Sequence, residues 1–119
     1  MRFTKEHEWA KLDGNVVTVG ITEYAAHQLG DVVFVELPAN GSKLTIGKTF
    51  GTIESVKTVS DMYAPVSGEV VETNSELEGN PALVNESPMD AGWIVKIKVA
   101  DSKEYDTLLS EADYKKICE

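Results

Sequence analysis

Lys57 is the side chain of this sequence best placed for covalent chemistry. It stands in Thr52-Ile53-Glu54-Ser55-Val56-Lys57-Thr58-Val59-Ser60-Asp61, where two β-type runs flank the lysine and no Gly, Asn or Pro marks the turn. Short hairpins usually carry Asn-Gly or Asp-Gly at that point. A reversal at Val56-Lys57 must therefore be held by the rest of the fold, and it would set the Lys57 side chain at the tip. A primary amine on a long flexible stem can be acylated, which removes its charge and lengthens the arm. From composition alone, the ordinary reading of such a lysine is a solvated charge. Other chemistry is hard to find. His7 and His27 have no cysteine or third histidine at metal-ligand spacing. There is no Gly-rich phosphate loop and no Gly-x-Ser-x-Gly elbow. Cys118 is the single cysteine, so no internal disulfide forms, and a chain end is a poor place for a rigid catalytic thiol. An enzyme acting alone is not indicated.

The 119 residues fit one domain, and a hydrophobic share of 42% predicts a packed core rather than disorder. Acidic residues outnumber basic ones by 20 to 11, for a formal charge of −9. That balance disfavours nucleic acid and anionic membranes and favours partners with basic docking faces. No apolar run reaches the length of a membrane span. The opening Met1-Arg2-Phe3-Thr4-Lys5 has neither a signal-peptide core nor a transit-type extension. Bacterial cytoplasm is expected, or the mitochondrial matrix if the chain is a processed organellar form.

The elements that must position the lysine are short. Residues 7–12 and 16–21 read as a hairpin around Asp13-Gly14-Asn15. Thr22 is an N-cap candidate, Glu23 suits the first turn, residues 24–29 make a two-turn helix, and Gly30 fits its C-cap. Residues 31–37 form the clearest strand, and residues 42–46 a short one. Residues 49–55 run up to the lysine, with Gly51 marking a bulge or close backbone approach. Residues 58–64 descend from it, 69–73 follow, and 74–88 read as loop with one helical turn at 81–84. Residues 92–99 are the last strand. Asp101 with Glu104, and Ser110 with Asp113, predict capping boxes on two C-terminal helices. Tyr105, Leu108, Leu109 and Ala112, then Tyr114, Ile117 and Cys118, fall on core-facing stripes. Gly30-Asp31-Val32-Val33 recurs as Gly68-Glu69-Val70-Val71, which would suit two sheets related by a quasi-two-fold. The pattern predicts a mainly β sandwich or barrel with short helices.

Glu54-Ser55-Val56-Lys57, then Ser60-Asp61, then Tyr63-Ala64-Pro65-Val66-Ser67-Gly68-Glu69-Val70 closely resemble the lipoyl-attachment segment of the glycine cleavage H proteins. The resemblance continues through His7-Glu8-Trp9, Val19-Gly20-Ile21-Thr22, residues 29–38, Leu83-Val84-Asn85, Ser87-Pro88 and Gly92-Trp93-Ile94-Val95-Lys96-Ile97. Biotin carriers bracket their lysine with methionines, and lipoyl domains of 2-oxo acid dehydrogenases read Asp-Lys. Val56-Lys57 is similar to neither.

The resemblance implies the lipoyl/biotinyl barrel-sandwich hybrid: two small antiparallel sheets, short helices and a helical C-terminus. It implies a single lipoyl-carrier domain over residues 1–119, with a core at about 7–99 and a C-terminal helical segment at about 101–118. Lipoic acid would be amide-linked to Lys57, and Glu54 would be read by the lipoyl-attaching enzyme. The arm would take an aminomethyl group from the pyridoxal-phosphate-dependent glycine decarboxylase to the tetrahydrofolate-dependent aminomethyltransferase. Dihydrolipoamide dehydrogenase would reoxidise it. The protein itself would be a monomeric carrier, not an enzyme. Glu8 and Asp61 would hold the protonated amine in a pocket with Gln28 on the same wall. Alternatives are a lipoyl donor to other complexes, or an unmodified scaffold of the same fold. Three positions depart from the family. Thr58 replaces a common alanine and Met89 a common aromatic, both read as packing changes. Gln28 replaces a histidine found in some members and would alter how the loaded arm is held.

Overall fold

β-branched runs broken by turn residues build two antiparallel sheets in the computed structural model, which describes residues 1–118. The larger has six strands in the order β1-β2-β3-β9-β8-β5, and the smaller has three, β4-β6-β7. Their ranges are β1 Arg2–Phe3, β2 Glu8–Asp13, β3 Val16–Ile21, β4 Val32–Glu36, β5 Lys43–Leu44, β6 Thr49–Ser55, β7 Val59–Tyr63, β8 Gly68–Thr73 and β9 Val95–Val99. Five short helices accompany them: α1 Glu23–Leu29, α2 Glu76–Gly79, α3 Leu83–Glu86, α4 Lys103–Asp106 and α5 Glu111–Cys118. The sheets do not close into a barrel. Val17, Val19, Ile53, Val66, Val95 and Ile97 are buried between them.

Several elements follow the expected local chemistry. The Thr22 hydroxyl caps α1 by accepting from the Ala25 N–H at 3.2 Å, and Gly30 ends it at φ +76°. The β6–β7 register shifts between Thr49 and Gly51, as a bulge there requires. The sequence echo has a counterpart in the fold. Val32 and Val70 are buried, and Val33 and Val71 are the exposed extra residues of two bulges, one in each sheet.

Other elements differ. β1 is a two-residue strand beside β2 that also bridges to Leu109, a pairing with no local signal. β5 is only Lys43–Leu44, and β9 begins at Val95, after a Trp93 whose carbonyl accepts from the Asn74 side chain. α2 is an added turn that buries Leu77. The Asp101–Glu104 capping box does not form. The Glu104 carboxylate instead accepts from the Ser67 N–H (2.8 Å) and hydroxyl (3.1 Å). The C-terminal stripes are thinner than the periodicity suggests: Tyr105 and Tyr114 are buried, whereas Ala112 and Ile117 are exposed.

Candidate functional site

Lys57 lies where β6 reverses into β7, and Ser55 closes that turn. The Ser55 N–H donates to the Thr58 carbonyl at 2.7 Å. Its buried hydroxyl accepts from the N–H groups of Lys57 at 3.2 Å and Thr58 at 3.1 Å, and donates back to the Thr58 carbonyl at 3.2 Å. The Val56 N–H donates to the Asp31 carbonyl at 3.0 Å, tying the turn to the start of β4. A serine hydroxyl thus does what Asn-Gly does in a shorter loop. The Lys57 side chain is exposed and makes no ion pair among the described residues. Its stem crosses Gly30, where an added Cβ would lie 3.2 Å from the Lys57 Cε.

A cleft of about 260 Å³ begins beside the turn, at Thr58 and Val59. β7 is an edge of its sheet, so side chains on both of its faces border the opening. Glu8 from β2, Gln28 from α1 and Asp61 from β7 all line this one cleft. Ile21, Leu29, Ile53 and Met62 give it an apolar floor. Thr58 therefore faces the cleft as well as completing the turn, which is more than the packing change expected of it. Glu54 is elsewhere. It is exposed on the outer face of β6, between Phe34 and Val59.

Glu8 is only 2% exposed. One carboxylate oxygen accepts from the Thr4 hydroxyl at 2.6 Å, and the other accepts from the Tyr63 N–H on β7 at 3.2 Å. Burial pushes its pKa up to about 7 against these two hydrogen bonds, which favour the ionised form. Glu8 also borders a second hollow of about 400 Å³, walled by Phe3, Ile46, Leu108 and Leu109, which does not reach the lysine turn.

His7 was not singled out by sequence as part of this wall. It lines the cleft, stacks on Tyr24 at 4.6 Å between ring centroids, and has φ +71°. Left-handed backbone at a non-glycine residue is a strained conformation that the surroundings must hold. Tyr114 of α5 holds it: its hydroxyl lies 2.7 Å from His7 Nδ1 and 2.7 Å from Thr22 Oγ1. Thr22 Oγ1 also accepts from the Ala25 N–H, so one hydroxyl both caps α1 and pairs with Tyr114. Burial lowers the His7 pKa and favours the neutral ring; the same burial raises that of Tyr114.

The signature fragments also meet in space. The Trp9 indole covers Gly20, where a Cβ would fall 2.6 Å from Nε1, and that N–H donates to the Pro88 carbonyl at 2.8 Å.

The family model for the glycine cleavage H-protein matches residues 1–119. The chain belongs to the glycine cleavage H-protein family. A glycine cleavage system H protein of Staphylococcus haemolyticus is 56% identical over 117 residues, 98% of this chain and 93% of the relative. One of Staphylococcus epidermidis is 56% identical over 113 residues, covering 95% of this chain and 90% of the relative. The crystal structure of a glycine cleavage system H protein from Mycobacterium marinum superposes with a TM-score of 0.85 at 37% identity, covering 96% of this chain and 92% of that one. The family is one of carriers rather than enzymes. Among the described residues, no helix is long and apolar enough to cross a membrane.

Proposed function

We propose that this chain is a lipoyl-bearing carrier of a cytoplasmic glycine cleavage system, with lipoic acid in amide linkage to Lys57. The observation that carries the reading is the placement of an exposed lysine on a clamped turn at the mouth of a cleft bordered by buried and exposed carboxylates. When bound, the dithiolane supplies a redox-active carrier for an aminomethyl group, taken from glycine decarboxylase, given to the tetrahydrofolate-dependent aminomethyltransferase, and restored by dihydrolipoamide dehydrogenase.

The residues fit such a group. Ile21, Leu29, Ile53 and Met62 offer an apolar bed for a hydrocarbon arm. Asp61 and Glu8 offer acceptors to a terminal ammonium, and a charge-assisted hydrogen bond is about twice as strong as a neutral one. Glu8 has spare acceptor capacity beyond Thr4 and Tyr63. A cation beside it favours the ionised form that burial opposes. Burial of His7 in the same wall disfavours a positive charge that would compete. Gln28 contributes a neutral polar group, and Glu54 lies outside the cleft, where the lipoyl-attaching enzyme can read it.

Peptide mass spectrometry on protein from its native host tests the reading. A lipoyl-sized addition at Lys57, lost in Lys57→Arg, is expected. An unmodified Lys57 in cells with active lipoylation would overturn it.

A further inference from the structure

Four large apolar side chains stand in water around Lys57. Val56, Val59, Phe34 and Val33 expose 68%, 61%, 53% and 47% of their surface. Strand pairing brings them together. Phe34 is opposite Glu54, and Glu54 is opposite Val59, so the three form one rung across β4, β6 and β7. Val33 is the bulge residue beside Phe34, and Val56 is in the turn beside the lysine. Glu36 and Asp61 flank the rung on the next row of the same face. A solvated sheet face is ordinarily polar. Exposed apolar side chains set around one acid and rimmed by two others mark an interaction surface.

Reach decides what covers it. The amine of an unmodified lysine lies no more than roughly 6 Å from its Cα, from ordinary bond lengths. An enzyme that acylates it must bring a carbonyl carbon to bonding distance of that atom, and so must rest on the neighbouring rung. Enzymes that act on the finished arm meet its sulfur atoms on the order of twice as far out, and can do so without covering the sheet. Charge adds a second constraint: Glu54 sits inside the rung and acids rim it, so the complementary surface is apolar with a cation opposite Glu54.

Resting on the carrier reading above, we infer that the rung Phe34–Glu54–Val59, with Val33 and Val56, is the footprint of the enzyme that acylates Lys57, and that arm-handling enzymes do not require it. In that step the lipoyl carboxyl arrives as a mixed anhydride with adenylate. Deprotonated Nζ attacks the carbonyl carbon, the C–N bond forms, and the C–O bond to phosphate breaks. The adenylate leaves with the electron pair and the nitrogen gives up a second proton. No atom changes oxidation state.

The test uses purified apo-protein, ATP, free lipoate and an ATP-dependent lipoate ligase, with intact mass as the readout. Phe34→Ser and Val33→Ser, both outside the cleft, should each lower kcat/KM for lipoyl addition about tenfold, on the scale of truncating a central interface residue. Val71→Ser, at a matching bulge valine on the other sheet, should leave it unchanged. After exhaustive lipoylation, both variants should accept the aminomethyl group from glycine decarboxylase within about twofold of wild type. Unchanged lipoylation of Phe34→Ser and Val33→Ser overturns the inference, and so does an equal loss in both assays. Wild-type protein that gains no lipoyl mass overturns the carrier reading itself, which separates the two failures.

Discussion

Replacing Glu8 by glutamine keeps the shape of a buried side chain and removes its titration. In the unfolded chain the Glu8 carboxyl ionises near 4.5, and in the folded protein burial moves this to about 7. Between those values the folded state holds a proton that the unfolded state has released. Stability from this group is therefore complete below pH 4.5, falls as pH rises, and is lost above pH 7. At about 1.4 kcal/mol per pH unit, the loss is about 3 kcal/mol. Glutamine cannot follow that course. Its carbonyl can accept from Tyr63 and its amide can donate to Thr4, so the packing survives. Urea unfolding followed by tryptophan fluorescence should find the two proteins similar at pH 4.5. At pH 8 the variant should be more stable by about 3 kcal/mol. If the difference between them does not change with pH, Glu8 is not a desolvated acid and the account of the cleft fails. The same substitution should speed loss of a bound aminomethyl group. A more stable protein that holds its cargo less well is the signature of a charge kept buried for function.

Asp61→Asn should also speed that loss, measured as release of label from protein loaded with labelled glycine, and should leave stability within about 0.5 kcal/mol because Asp61 is exposed. Ser55→Ala removes a buried hydroxyl that serves three hydrogen bonds, and should cost about 2 kcal/mol in urea unfolding while hastening hydrogen exchange at Lys57 and Thr58. Gly30→Ala puts a Cβ on a φ of +76° and ψ of −159°, a region open essentially to glycine alone, and against the lysine stem, and should cost about 1–3 kcal/mol by the same measurement. Tyr114→Phe leaves His7 Nδ1 and Thr22 Oγ1 without their shared partner. It should cost about 1–3 kcal/mol and shift the NMR signals of the His7 ring.

The parts of the fold legible in the sequence are those with local causes. The Thr22 and Gly30 caps of α1, the first hairpin and the Gly51 bulge each depend on chemistry within a few residues. β1 depends on partners far away in the chain, and Glu104 turned to Ser67 because a tertiary pair of donors outweighed the local cap. Short α5 buries Tyr114 and leaves Ala112 and Ile117 to water, so its apolar spacing overstated its contact with the core. The turn at Lys57 was placed by the strands around it, but the role of Ser55 needs three partners to be visible. Glu8, Gln28 and Asp61 come from β2, α1 and β7. Nothing in their spacing joins them; only family resemblance did. The positive φ of His7 and its bond to Tyr114 left no signal at all.

The order in which the chain is made separates the two halves of this site. All three strands of the lysine sheet lie between Val32 and Tyr63, and the turn's hydrogen bonds close within residues 31–58. The brace on the cleft wall waits far longer, because His7 meets Tyr114 across 107 residues. Contacts of such separation are late and slow to form. A nascent chain can thus present a closed lysine turn while half of it is still unmade, yet His7 in the cleft wall gains its Tyr114 brace only when the last helix emerges. A chain cut at residue 110 would keep the place where the arm is attached and lose the brace behind the place where a loaded arm is sheltered.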